Sequence, residues 1–221
     1  GEMKKSDVTG AVANIKGEEL TRQPVLTASQ ALQGKVAGVQ IISSGQPGSS
    51  PQIRLRGVGT AFSGTTTLYV VDGVLTDDIS NINTSDIVDM NILKDASAAA
   101  IYGSRGANGV IIITTRKGVA GKLKVNYNNN IGFRQAANLV KMANSAEYSN
   151  YVQAATGTAP SGTGNTDWYG TILRNAFEQN HNISLSGGSD KITHLFNIGY
   201  LNDQGIVLEN QFKRLTLRLN E

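Results

Sequence analysis

Residues 57–64 read GVGTAFSG, follow the strand-like IRLRG and precede Asp72, so dinucleotide binding is the first chemistry to weigh. A dinucleotide fingerprint spaces its glycines G-x-G-x-x-G and opens a helix with them, because the helix N-terminus must meet the pyrophosphate. Here Gly57 and Gly59 lead into Ala61, Phe62, Ser63 and Gly64 and then into another apolar run, which is the pattern of a flexible loop between strands. His181 and His194 are the only histidines and there is no cysteine, so thiolate chemistry and disulfides are excluded and a metal site is poorly supplied with donors. Neither a G-x-S-x-G elbow nor a phosphate-binding P-loop occurs. The sequence thus offers no catalytic residue, no metal site and no cofactor, and the expectation is of a protein that is not an enzyme. Arg54, Arg56, Asp72, Asp86, Lys94, Asp95 and Arg105 are spread among apolar runs, where caps and ion pairs are the ordinary roles. As a set they could also form the polar exterior of a domain lodged in a polar lumen.

The elements that position these residues change in character along the chain. LKDASAAAIYGSRGANGVIIITT, residues 93–115, ends in Val110, Ile111, Ile112 and Ile113, a run expected of a strand buried on both faces. Asp95 or Ser97 could cap the helix before it, and Gly103 ends that helix. Upstream, Thr27 or Ser29 could cap a helix with Leu32 and Val36 on its face and Gly38 as terminator. Strands are expected at Val39 to Ile42, Gln52 to Arg56, Thr67 to Asp72 and Val88 to Leu93, with a helical turn at Thr84 to Ile87. After residue 118 the period changes. Leu123, Val125, Tyr127, Ile131 and Phe133 alternate with polar residues, and Leu215, Leu217 and Leu219 alternate with Arg214, Thr216 and Arg218. Gly187-Gly188-Ser189-Asp190 marks a hairpin, a turn is expected at Asn202 to Gly205, SAEYSNYVQAA reads as a helix, and TGTAPSGTGNTDWYG reads as a long polar loop. Such strands suit an outer-membrane barrel or a soluble sandwich equally well.

Charge narrows the partners. Lys and Arg number 20 against 17 Asp and Glu, and they are scattered, whereas a nucleic-acid binder concentrates them in a stripe. No apolar run approaches the roughly 20 residues of a membrane helix, a test to which barrel strands are invisible.

ALQGKVAGVQI (31–41), IRLRGVGT (53–60), LYVVDGV (68–74) and the block running from Ile82 to Gly118 resemble the plug domain of SusC/RagA-like TonB-dependent outer-membrane transporters. Residues 119–221 are similar to the first barrel strands and first long loop of that family. The resemblance implies an α+β chain: a compact mixed-sheet plug domain with short helices at 1–118, then at 119–221 antiparallel β-hairpins belonging to an incomplete outer-membrane β-barrel. Members have 22 strands, and residues 119–221 have room for about four strands of 9 to 11 residues, so the chain reads as a fragment. The implied function is to gate uptake of an oligosaccharide or peptide across the outer membrane of a Gram-negative bacterium, with the plug in the barrel lumen. The implied partners are a TonB-type energy-transducing protein and a substrate-capturing surface lipoprotein, with no nucleic acid. The loop after IRLRG becomes the substrate-facing apex, with Phe62 stacking and Ser63, Thr65 and Thr66 hydrogen-bonding. Arg54, Arg56, Asp72 and Arg105 become plug–barrel contacts, and Gly103, Gly106 and Gly109 let the chain reverse. A soluble periplasmic interaction module with no pore is the alternative, and the isolated fragment is expected to self-associate through open strand edges.

Overall fold

The computed structural model describes residues 12–21, 25, 27–55, 67–162 and 164–221. Strand β7 (Val110–Thr115) lies at the centre of a five-stranded sheet, flanked by β6 (Ile87–Leu93) and β1 (Val12–Lys16) on one side and by β4 (Leu68–Val71) and β5 (Val74–Thr76) on the other. Among the described strands of this sheet β4 and β7 pair in parallel and the other three pairings are antiparallel. The branched run is covered on both faces, as its composition requires. Ile111 and Ile113 are fully buried with Leu20 of α1 (Gly17–Thr21), Leu32 beyond α2 (Ala28–Ala31), and Ile53 and Leu55 from the hairpin of β2 (Val39–Ile42) and β3 (Gln52–Leu55). Val110, on the opposite face, packs with Leu68, Val70, Leu93 and Ala99, the last from α3 (Ala96–Ala99) and its tighter continuation through Gly106. Burial on this scale contributes about 1.5–3 kcal/mol for each large aliphatic side chain.

Several elements differ from expectation for local reasons. Thr27 caps α2, its hydroxyl accepting the Gln30 amide at 3.2 Å, yet the helix stops after one turn and the chain folds over so that Leu32 and Val36 still reach the core. Gly103 and Gly109 turn the chain at φ 64° and 89°, whereas Gly106 serves a close approach: a Cβ there would lie 2.8 Å from the Ala99 carbonyl. The expected strand ending at Asp72 is half of a hairpin. Val71 pairs with Val74 across the two-residue turn Asp72-Gly73, whose φ values of 49° and 88° follow the mirror-image turn that matches strand twist.

The second half forms a four-stranded antiparallel wall in the order β11 (Gln211–Asn220), β10 (Thr193–Gln204), β9 (Ala176–Gly188), β8 (Gly121–Arg134). The β9–β10 hairpin turns where the Gly187-Gly188-Ser189-Asp190 signal places it. Between β8 and β9 stand α4 (Ser145–Thr156), opened by an Asn144–Glu147 capping box, and α5 (Trp168–Ile172), a helix inside the expected polar loop that Asp167 caps by accepting the Gly170 amide at 3.0 Å. Strand β10 continues through Asn202, so the expected turn there moves to residues 205–210, closed by a Gly205 amide to Asn210 carbonyl bond of 2.8 Å.

Strand pairing sorts the wall into two faces. Tyr127, Ile183, Ile198 and Leu217 form one cross-strand row, and Val125, Leu185, Phe196 and Leu219 form the next. Leu215, Leu217 and Leu219 are 63–70% exposed on this outer face. The alternate rows are polar and face the mixed domain: Asn126, Ser184, Asn197 and Arg218; Asn128, Asn182, Gly199 and Thr216; Asn130, Asn180, Leu201 and Arg214.

Candidate functional site

The mixed domain meets the polar face of the wall through side chains on successive rows. On β11, Arg218 donates to the Thr115 hydroxyl and lies 3.3 Å from a carboxylate oxygen of Asp72. The Asp72-Gly73 turn aims that carboxylate back at the end of β7, where it accepts the Thr115 amide at 2.8 Å and the Thr115 hydroxyl. Next to this cluster, Asn197 of β10 donates to Asp86, and one row higher Asn182 of β9 donates to Ser85. Higher again, Arg214 donates to the Ser80 carbonyl.

The backbone approaches the wall most closely at its two ends. Gly118 lies so near the β9–β10 hairpin that a Cβ would sit 2.7 Å from the His194 nitrogen. At the opposite end, a Cβ on Gly48, in the turn between β2 and β3, would sit 2.4 Å from the Phe212 ring. The rows therefore give a height scale, from Gly118 beside the short hairpin to Gly48 beside the turn at 205–210. Arg134 stands at that upper end, 3.2 Å from Glu178 and paired also with the buried Asp203, so it binds β8 to β9 and β10.

Electrostatics follow burial. Asp86 is 5% exposed, and burial pushes its carboxyl above the usual range against the pull of Arg218 and Arg116. Asp78 shows the reverse balance: burial raises it, but donation from the Ser80 hydroxyl and amide and from Ser50 outweighs that and holds it below the usual range. Burial also raises the Tyr69 phenol. Neutral hydrogen bonds contribute about 0.5–1.5 kcal/mol net and charged ones about 1.5–3, which sets the scale of each contact between the mixed domain and the wall.

Of the residues singled out in the sequence, Asp72 faces Arg218 of the wall. Arg105 pairs at 2.7 Å with Asp77 of its own domain, and Arg54 lines a cleft in that domain beside Thr67, Tyr69 and Asp78. Arg56, Phe62, Ser63, Thr65 and Thr66 lie outside the described residues. Sequence reasoning missed Ser80, Ser85, Thr115, Asn182 and Asn197 as contacts and gave Arg214 and Arg218 no role at the wall, while it placed Asp86 only in the set that could form the domain's polar exterior. Their signal was weak: arginines, rather than shorter polar groups, on the polar face of an alternating strand. Among the described residues no group of acids and histidines is placed to hold a metal ion.

Residues 4–110 match the family described as the TonB-dependent Receptor Plug Domain. Across its whole length the chain is 39% identical to the TonB-dependent receptor SusC of Bacteroides thetaiotaomicron, of which it covers 23%. TonB-dependent receptor P39 of Formosa agariphila is 38% identical over 99% of the chain, which covers 22% of that protein. The chain thus spans about a quarter of the length of the curated relatives it matches. Among solved structures, the RagAB peptide importer in its open-open state superposes on 98% of this chain with a TM-score of 0.86 at 31% identity, and the chain covers 29% of that one. The siderophore receptor PirA from Pseudomonas aeruginosa shares the fold at 19% identity, with a TM-score of 0.58 over 96% of this chain and 32% of its own.

Proposed function

We propose, because the chain belongs to the SusC/RagA-like TonB-dependent receptors as plug domain and first barrel strands, that the parent protein imports a nutrient across the outer membrane of a Gram-negative bacterium. The observation that carries the reading is the two-faced wall. Its polar rows hold the mixed domain through Arg214, Arg218, Asn182 and Asn197, while its apolar rows stay open on the other side. Lipid suits such a face, with the apolar band of about 25 Å that barrel strands present. A soluble sandwich would cover those rows with a second sheet, and among the described residues none does.

On this reading residues 1–118 are the plug and residues 119–221 begin the barrel, with the plug in the lumen. Function needs no catalytic residue, only an element with two positions. A periplasmic energy-transducing protein displaces the plug after substrate binds at its outer side, and a surface lipoprotein captures that substrate. The substrate on this reading is an oligosaccharide or a peptide, the peptide alternative being supported by the name of the structurally similar RagAB peptide importer. Phe62, Ser63, Thr65 and Thr66 contact it, and Asp72 holds plug to barrel, with Arg54, Arg56 and Arg105 assigned to the same role by family resemblance.

Uptake of a labelled maltooligosaccharide and of a labelled peptide, measured with and without the energy transducer, tests the import reading. Transducer-dependent entry of either is the expected result, and entry that ignores the transducer refutes it. Loss of uptake in a Phe62→Ala, Thr66→Ala double variant is expected for the apex loop; unchanged uptake and binding removes the loop from the site.

A further inference from the structure

The segment between β8 and β9, residues 135–173, carries α4 and α5 at the upper end of the wall. An arginine holds each of its feet. Arg134, the last residue of β8, pairs with Glu178 and Asp203 and donates to the Gln204 carbonyl at 3.3 Å. Arg174, which follows α5, grips the turn at 205–210: its Nε donates to the Gly205 carbonyl at 3.0 Å and its Nη2 to the Asn210 carbonyl at 2.9 Å. Backbone bonds run alongside, from the Arg174 amide to the Ile206 carbonyl at 2.8 Å and from the Leu208 amide to the Ile172 carbonyl at 2.9 Å. The same turn meets the plug. A Cβ on Gly205 would sit 3.1 Å from the Pro47 ring, and Phe212, just past the turn, lies against Gly48. The plug's own turn is braced there, the Ser49 hydroxyl donating to the Gln46 carbonyl at 2.7 Å and the Ser44 hydroxyl to that of Ser49 at 2.8 Å.

We propose that Arg174 is a positioning residue for import: it seats the 205–210 turn against the plug, so that a substrate displacing the β8–β9 segment from outside moves the plug through Pro47 and Gly48. The inference rests on the import reading and deepens it. A planar guanidinium can hold two carbonyls at once, and here it staples the two ends of one turn. The Asn210 carbonyl also accepts the Gly205 amide at 2.8 Å, so the grip falls where the turn is already closed. Among the described residues the hydrogen bonds of Arg174 end on this turn, and its effect on the plug passes through another element. Coupling between separated sites is carried by such chains of packed side chains, hydrogen bonds and rigid turns. Arg174→Ala leaves the backbone bonds beside it in place, so the segment keeps its path while the staple is lost.

The chain has no cysteine, so a pair of introduced thiols reports on the contact directly. The experiment uses a full-length importer containing this segment and no other reactive thiol, with Pro47→Cys and Gly205→Cys, whose positions adjoin across the contact. The rate of disulfide formation under a mild oxidant is compared with and without Arg174→Ala. In importer lacking the cysteine pair, the same substitution is read for affinity toward maltohexaose or a neutral peptide without the transducer, and for maximal transducer-dependent uptake. The expected result is cross-linking slowed about tenfold, affinity unchanged and maximal uptake lowered about tenfold, with Arg174→Lys recovering part of both losses. Unchanged cross-linking, normal uptake despite slowed cross-linking, or affinity that falls in step with uptake overturns the positioning role while import stands. If Arg174→Ala does not assemble, Arg174→Lys is read by the same assays, and cross-linking as fast as with arginine overturns the role. Failure of the unsubstituted importer to take up either probe overturns the import reading and the role in import with it, while the cross-linking rates still show whether Arg174 seats the turn.

Discussion

Replacing Arg218 by alanine tests how the plug is held. The guanidinium makes a charge-assisted hydrogen bond to the Thr115 hydroxyl and a single ion-pair contact of 3.3 Å to Asp72. The Arg218 and Asp72 side chains are 24% and 29% exposed, so solvent screens that pair and it adds about 0.2–1 kcal/mol. The bond to Thr115 is more sheltered, Thr115 being 2% exposed, and a charged hydrogen bond of this kind contributes about 1.5–3 kcal/mol. Asp72 is not orphaned by the change, because the Thr115 amide and hydroxyl still donate to it. Arg218→Ala should therefore weaken docking by about 1.5–3 kcal/mol, or roughly 10- to 100-fold in the opening equilibrium. Hydrogen exchange at the Asn197 side-chain amide, which is buried and donates to Asp86 across the same row, reads this in the full-length protein. That side-chain amide should exchange faster by the same factor, while the Ile111 main-chain amide, whose burial comes from the plug's own core, should hold its rate. Arg218→Lys should recover part of the loss by keeping the charge without the planar fork. Unchanged exchange at Asn197, or equal acceleration at Ile111, would refute the reasoning.

Three further outcomes are expected. Gly48→Ala should cost about 2–4 kcal/mol in urea unfolding, from a Cβ driven to 2.4 Å from Phe212 and a φ of 74°; adding Phe212→Ala should recover the steric share and leave the backbone share. Asp86 has a folded carboxyl pKa raised by burial, so the docked state binds its proton more tightly than the undocked state. Docking should be strongest below the ordinary aspartate value of about 3.9 and decline as pH rises through the raised value, and Asp86→Asn should flatten that slope in exchange rates measured from about pH 4 to about pH 7. The isolated 221-residue chain, with Val125, Leu215, Leu217 and Leu219 at least 62% exposed, should sediment as a dimer or larger without detergent and dissociate in it; a detergent-free monomer whose β8–β11 amides exchange as slowly as the plug core contradicts this.

The run from Val110 to Ile113 disclosed the centre of the plug because only a doubly covered strand tolerates four branched residues in succession. The alternation along β8 and β11 disclosed the wall and both its faces, since a period of two leaves one assignment of inside and outside. Strand β5 escaped notice because it is three residues long, with Val74 68% exposed and no alternation to read. Strand β1 is similarly weak in VANIK, where Ile15 alone is fully buried and the pairing with β6 supplies the structure. The holding contacts were the least legible. Asp72 is marked by its Asp-Gly turn, but its partner Arg218 lies 146 positions away, and Asp86 and Asn197 are 111 apart. Such partners meet only when the register of three strand pairings is correct.

Gly118, seated against His194, has a consequence for reach. Residues 116–120 are the whole connection between the end of β7 and the start of β8. Fully extended, five residues span about 17 Å, less than the roughly 30 Å thickness of the hydrocarbon layer. With β7 intact, the mixed domain therefore stands on a short leash fixed at the hairpin end of the wall. Any displacement of the mixed domain that leaves β8 in place is thus bounded by that length at its attachment point and takes the form of a swing about the hairpin end of the wall.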